Sequence, residues 1–481
     1  MNRTKSKKSG FIHLCISLML MIVFRLLPPI GGITPYGMAI LGIFLGTIYG
    51  WVTSDIIWPG FLALVALVLT LDFAPSVTTL FSTVMSNSTV VSIIAAYFVS
   101  GIVVLSGVAE WIGRWFISRP MIKGRPYVMV ALIFGAGLFV CPFIAITWIM
   151  LMYELIGIIN QKLGYENKSI FTQIMLYSIV FTAQFTIYLP MQVSWILAEG
   201  IVSGVLPEYS FGIYPMMPLG FILIVLLGIG NFLALKLVFK PDLSGLRDNS
   251  ITDNILPPPP MNQRQKISLV MVLAYLSLLI LAALLPSHWA IVAALNKLGV
   301  TGLALLCAVL AMIIHVDGKP LASFREITGY MSWSIVFMVG IAILLASALT
   351  AAETGITATL SKMLTPLFSG FSPYLFTLVI LIVAMVLTNL INNIVVLSLL
   401  TPIVVSVAPA IGCNINAVFP LLCYAIYMAI MLPSASPIAA LLHSNTKQMD
   451  SKLIIKFSMV SMVASAVIFA VIGIPLANLF Y

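Results

Sequence analysis

In a chain that is 61% hydrophobic, one stretch gathers groups able to hold a polar ligand: residues 387–402, LTNLINNIVVLSLLTP. Thr388, Asn389, Asn392 and Asn393 place a hydroxyl and three amides inside an otherwise apolar run. Unpaired in hydrocarbon, each such group would cost several kcal/mol. They must either hydrogen-bond to neighbouring helices or meet a ligand, and Thr388 and Asn389 could also cap a half-helix. Two other stretches repeat the theme. Residues 433–437, PSASP, and residues 184–192, QFTIYLPMQ, set prolines, hydroxyls and amides between apolar segments. A helix interrupted in this way exposes half-helix ends and free backbone groups at mid-membrane, chemistry suited to small ions. The plainer reading is a proline kink whose freed backbone groups are satisfied by nearby hydroxyls.

Other reactive groups are sparse. Glu154 and Glu199 lie within or close to apolar spans, where a carboxylate is by default a candidate proton site, although both could lie at an interface. His13, His288, His315 and His443 are scattered, and the five cysteines form no paired or Cys/His motif. Free thiols and no metal site are therefore expected. No nucleophile motif, nucleotide loop or Walker motif occurs, so neither an enzyme nor an ATP-driven pump is indicated, and no cofactor is implied.

The elements that must position these groups follow from hydropathy. With 481 residues, only 8% of them charged, and a mean hydropathy of +1.15, the chain reads as an all-α polytopic membrane protein. Its net charge of +9 would suit an anionic partner such as nucleic acid, but the basic residues are distributed as a membrane topology demands. Of 23 Lys and Arg residues, all but Arg25, Lys297 and Lys362 fall on one predicted side. The bilayer, not nucleic acid, is the expected partner.

Residues 1–10 are expected in the cytoplasm, and the apolar segment after them lacks a cleavage site and reads as an uncleaved first helix. Spans follow near 11–30, 37–53, 56–71 and 89–110. Gly42, Gly46 and Gly50 in the second span allow close helix packing, either within the chain or in a dimer. Residues 128–164, interrupted by Gly135, Gly137 and Pro142, must start and finish on one side, as a re-entrant hairpin does. A broken helix over 171–203 and a span near 212–239 complete a first half, 11–239. The polar, proline-rich connection 240–266 is a semi-rigid cytoplasmic linker. In the second half, 267–481, a hairpin over 355–408 and a broken helix over 415–443 return in opposite orientation. That pattern indicates an inverted-topology repeat of about 11 spans plus two hairpins, with the C-terminus outside the cell membrane.

Asn392-Asn393, followed by an apolar run to Thr401-Pro402, resembles the second Ser-Asn-Thr signature of the divalent anion/sodium symporter family, with Asn392 in the Ser position and Ile394 in the Thr position. The run MSWSIVFMVGIAILLASALTAAETGI resembles that family's helix before the second hairpin, and MLPSASPIAAL resembles its broken-helix loop. The resemblance implies that Asn392 and Asn393, with Thr388 and Asn389 beside them, contact the substrate. It also implies that Ser434, Ala435, Ser436 and Pro437 help to hold a sodium ion. In the first half the expected signature reads Cys141-Pro142-Phe143, so Thr147 and Gln192 are the nearest substrate-binding candidates and Gln184 and Thr186 the nearest cation-binding ones. A homodimer is implied as well.

The resulting expectation is a secondary carrier for a small di- or tricarboxylate-type anion, driven by sodium through alternating access. A proton-coupled or uncoupled anion exporter or exchanger, and a transport-inactive membrane scaffold, are the competing readings.

Overall fold

The computed structural model describes residues 2–54, 57–69, 74–118, 125–163, 165–190, 192–241, 258–368, 370–391, 393–433 and 435–481. Described residues 2–241 form α1 (Asn2–Leu26), α2 (Pro35–Thr53), α3 (Trp58–Leu69), α4 (Val77–Ser86), α5 (Ser88–Ser106), α6 (Val108–Ile117), α7 (Pro126–Leu163), α8 (Ile170–Gln184), α9 (Val193–Ser203) and α10 (Ile213–Phe239). After the connection come α11 (Gln263–Leu284), α12 (Ala290–Ile313), α13 (Phe324–Tyr330), α14 (Trp333–Thr350), α15 (Ile356–Phe368), α16 (Pro373–Leu390), α17 (Asn393–Val407), α18 (Ile415–Ile426), α19 (Pro437–Ser444), α20 (Ser451–Ile468) and α21 (Ile474–Phe480). Among the described residues, ten helices are long and apolar enough to cross a membrane. The protein is an all-α polytopic membrane protein.

Helix starts are written locally. Thr34, Ser372 and Ser436 each cap a helix whose first residue is proline, and their hydroxyls accept from Gly37 N, Leu375 N and Ala439 N respectively. Proline there forfeits no helical hydrogen bond, and the capping oxygen satisfies an orphan N–H. On α11, Asn262 and Gln265 form a reciprocal capping box. Of the span expected over 56–71, residues 56 and 70–71 lie outside the described residues, and the described helix α3 has 12 residues, about 18 Å. A separate short helix, α4, follows and packs against α3 and α14.

The glycine stripe of α2 is used inside the chain. A Cβ on Gly42 would fall 2.4 Å from Phe24 Cβ, one on Gly46 would fall 2.7 Å from Ser17 O, and one on Gly50 would fall 2.7 Å from Pro59. This close approach lets the Ser17 hydroxyl donate to Gly46 O at 2.7 Å. Backbone contact between α1 and α2 therefore takes the face that a dimer would need.

α7 breaks at Ile144 (φ −138°, ψ 46°), two residues after Pro142. In a straight helix, Gly137 and Trp148 would lie about 16 Å apart along the axis. Here a Cβ on Gly137 would lie 3.3 Å from Trp148 Nε1, so the two arms fold back on each other as a hairpin. α16 and α17, which also pack together, make the second hairpin, with extended backbone at Ile391 (φ −133°, ψ 163°) between them. Each hairpin is followed by a broken helix, α8 with α9 and then α18 with α19. α8 packs beside α19 and α9 beside α18, so the two broken helices run antiparallel with their breaks side by side. Every residue of α8 from Phe171 to Gln184 is buried, as are those of α18 from Ala417 to Ile426. By contrast α10, α11 and α12 present exposed leucines and isoleucines such as Leu233, Leu281 and Leu310, surface that a bilayer covers.

Replacing Gly46 by leucine is expected to destabilise the detergent-purified protein by about 1–3 kcal/mol through forced separation of α1 and α2. A fall of several degrees in its thermal melting midpoint checks this, with Gly135→Leu, at a position with open space around it, as the control.

Candidate functional site

The breaks in the two broken helices are held open by side chains. In the second half, Thr388 and Asn389 end α16 and are almost wholly buried, at 0% and 1% exposure. Thr388 donates through its hydroxyl to Ile426 O, the last carbonyl of α18. The Asn389 carboxamide oxygen accepts from Ile430 N at 3.1 Å and Met431 N at 2.8 Å, while its nitrogen donates to Met385 O at 2.7 Å. Both residues therefore splice the second hairpin to the loop between α18 and α19. Asn393 sits at the start of α17, 8% exposed, and its Oδ1 accepts from Ile394 N at 3.0 Å. Asn392 and Ser434 lie outside the described residues.

On the far side of that loop, Ser436 Oγ donates to Ala429 O at 2.8 Å and accepts from Ala439 N at 3.0 Å. Ala435 is fully buried and packs with Ala429 and Ala439. Pro437 opens α19. His443, at the other end of this short helix, reaches back so that Nε2 donates to Met431 O at 3.1 Å. Sequence reasoning passed over His443 because its spacing matched no metal motif, and no local signal reveals a contact across the loop.

The first half builds the same joint with other residues. Gln192 Oε1 accepts from Leu189 N at 2.9 Å, and its Nε2 donates to Thr186 O, so this amide cross-braces the loop between α8 and α9. Thr186 donates to Ala183 O at 2.9 Å and finishes α8, whose last residue, Gln184, is buried. The tie to the hairpin comes from Tyr188, whose hydroxyl donates to Leu138 O at 2.8 Å. Tyr188 was missed by sequence reasoning, since one aromatic residue in an apolar run carries no positional signal. The two breaks meet where the rings of Phe185 and Tyr424 stack, 6.4 Å between centroids.

Thr147 is not gathered into this arrangement. It is exposed on the second arm of the first hairpin and lines a separate cavity of about 200 Å³ with Glu110, Arg114 and Glu154. Glu110 and Arg114 form an ion pair at 2.6 Å, and Glu154 is exposed.

Glu199 occupies a different setting, one turn after Trp195 on α9, lining a cavity of about 600 Å³ between α9, the start of α5 and α14. The walls carry Asn87, Ser88, Ser92, Ser203 and Ser347, and Glu199 is the one charged residue among those lining it. The Glu199 carboxylate accepts from Ser210 Oγ at 2.5 Å, Phe211 N at 3.0 Å and Trp195 Nε1 at 3.1 Å. A Cβ on Gly200 would fall 2.2 Å from Thr89 Cγ2, so α9 and α5 touch beside this cavity.

No protein-family profile and no curated protein matches the chain. Solved structures do match in fold. The YdaH transporter of Alcanivorax borkumensis superimposes with a TM-score of 0.58 at 14% identity, covering 82% of this chain and 87% of that one. MtrF of Neisseria gonorrhoeae, described within a class of antimetabolite efflux pumps, gives 0.60 at 13% identity, covering 84% and 85%. The chain shares the fold of these two proteins.

Asn389→Ala would leave the Met431 N–H without an acceptor and the Ile430 N–H with Met428 O alone, a cost of about 1–3 kcal/mol. The expected result is a lower melting midpoint with faster amide exchange confined to the loop between α18 and α19. Unchanged exchange there would remove Asn389 as the splice.

Proposed function

We propose that the protein is a secondary active transporter of small di- or tricarboxylate-type anions, coupled to sodium and working by alternating access. The observation that supports this most directly is the pair of antiparallel broken helices, each spliced to its own hairpin, in a chain that shares the fold of the YdaH transporter. The helix starts at Val193, Asn393 and Pro437 direct positive dipole ends toward the breaks, where an anion would be favoured. The loop carbonyls and the Ser436 hydroxyl near the second break are oxygen groups of the kind that suit a sodium ion. Thr388, Asn389, Gln184, Thr186 and Gln192 then shape the site by holding its backbone, and Asn393 meets the substrate from the second hairpin tip. The motif resemblance to the divalent anion/sodium symporters supports the choice of substrate and ion. A homodimer in the cell membrane, N-terminus inside, belongs to the same proposal.

A second reading, a proton-coupled or uncoupled anion exporter or exchanger, is favoured in its proton-coupled form by Glu199 in its 600 Å³ cavity and by the likeness of fold to an efflux pump. An acidic group on a membrane helix that faces a polar cavity can exchange protons with a transported solute.

Proteoliposomes loaded with the purified chain are expected to take up radiolabelled succinate or citrate only under an inward sodium gradient, and Asn393→Ala is expected to abolish that uptake. Uptake that persists without sodium, collapses with a protonophore and is lost in Glu199→Gln would select the second reading. No uptake of either anion by folded protein under any gradient would remove the carboxylate assignment.

A further inference from the structure

α10 and α20, one from each half of the chain, pack against each other and carry the same pattern. On α10, Ile229, Leu233, Lys236 and Lys240 recur at i, i+4, i+7 and i+11, which puts them on one face of the helix and its cap. On α20, Lys452, Lys456, Met459 and Val463 recur at the same spacing, now with the lysines first. The apolar members are exposed, Val463 at 67%, and so are Lys240, Lys452 and Lys456. Bonds to the interior fix where these stripes look. Asn231, on the opposite face of α10, donates to Ser178 of α8, while Ser458 and Ser461, on the far face of α20, bond Tyr177 of α8 and Asn231. Both stripes therefore look away from α8, toward the bilayer. Phe239 packs edge-on to Phe457, 4.7 Å between centroids, so the last turn of α10 meets the first turns of α20 and all four lysines lie at one end. α7 begins at that end as well. Lys236 Nζ donates to the Tyr127 hydroxyl at 2.6 Å and lies 4.5 Å from the centre of its ring, and the exposed Arg125 precedes Tyr127 by two residues.

No described carboxylate forms an ion pair with any of these five basic groups, and the nearest acid in the chain, Asp450, accepts from Lys452 N as the cap of α20. Tyr127 takes one of the three Lys236 donors and holds the ammonium in place, which leaves two for another acceptor. Packed helix axes lie about 8–10 Å apart, so lysines on adjacent stripes can meet one phosphodiester group and its glycerol oxygens. A membrane topology bias accounts for the sign of these residues, but not for two matching stripes on neighbouring helices from different halves. Positive charge at one end of an exposed apolar strip is the complement of an anionic lipid, whose headgroup and acyl chains have the same order along the membrane normal. We infer that the bilayer-facing surface of α10 and α20 binds an anionic glycerophospholipid, with Lys236, Lys240, Lys452 and Lys456 around its phosphate and its acyl chains along Leu233 and Val463. Bound there, the lipid bridges the two halves on the outer side of the joint that Asn231 makes on the inner side. The inference stands apart from the choice of transported solute.

The test uses the full chain, delipidated in a non-ionic detergent and titrated with phosphatidylglycerol, phosphatidylcholine or glycerol 3-phosphate. Retained lipid is read by native mass spectrometry and stabilisation by thermal shift. Phosphatidylglycerol is expected to bind saturably and raise the melting midpoint by several degrees, and phosphatidylcholine to do neither. The combined variant K236Q/K240Q/K452Q/K456Q is expected to bind phosphatidylglycerol about ten-fold or more weakly. Each pair alone, K236Q/K240Q or K452Q/K456Q, should lose part of that affinity, and either pair decides the matter if the combined variant does not fold. K297Q/K362Q, which removes two exposed lysines elsewhere, should bind as the native chain does. Equal binding of the two lipids, undiminished binding in the lysine variants, or an equal loss in K297Q/K362Q would overturn the inference. A thermal shift with glycerol 3-phosphate alone as large as that with the lipid would overturn it in favour of a soluble anion.

Discussion

Hydrocarbon offers no hydrogen bonds, so any backbone that leaves the helix inside a membrane must find its partners in the protein. Two such interruptions lie at the centre of this molecule, between α8 and α9 and between α18 and α19. Their backbone groups are claimed by a small set of side chains: Gln192 and Thr186 within the first loop, Asn389 across to the second, and Ser436 within it. The close packing of everything around them, including the fully buried α8 and α18, presupposes that these bonds are made.

The same requirement explains how the halves are joined. Asn231 on α10 donates to Ser178 on α8 at 3.1 Å and accepts from Ser461 on α20, so one buried amide links three helices from both halves. Tyr177 adds a bond to Ser458 at 3.1 Å, and Gln173 accepts from Asp450 N at 2.8 Å. Each of these polar groups would be expensive if left alone. Paired, they limit the ways in which the first broken helix can sit against α20, and the repeats dock in one register. The price is rigidity, so motion between conformations must occur where such bonds are absent.

A second polar setting is the cavity beside Glu199, bounded by α5 and α14 on one side and by α9 on the other. The two candidate sites thus differ in kind. The hairpin joints gather dipoles and carbonyls without a formal charge, whereas the described lining of the cavity carries the Glu199 carboxylate.

Much of the architecture was legible in the sequence, because hydropathy, proline and capping residues act locally. The hairpin over 128–164 corresponds to α7 (Pro126–Leu163), and the interruptions at 184–192 and 433–437 lie where α8 stops and α19 begins. What sequence could not determine is the direction in which a polar side chain points. Thr388 and Asn389 read equally well as ligand groups or as caps, and only the approach of residues 426–431 from a distant segment turns them toward the backbone. Tyr188 and His443 carried no signal, since a single aromatic or imidazole gains meaning from neighbours far away in the chain. Local chemistry established where the helices run and break. Tertiary packing alone decided which polar groups those breaks consume and that Glu199 is held by Trp195, Ser210 and Phe211.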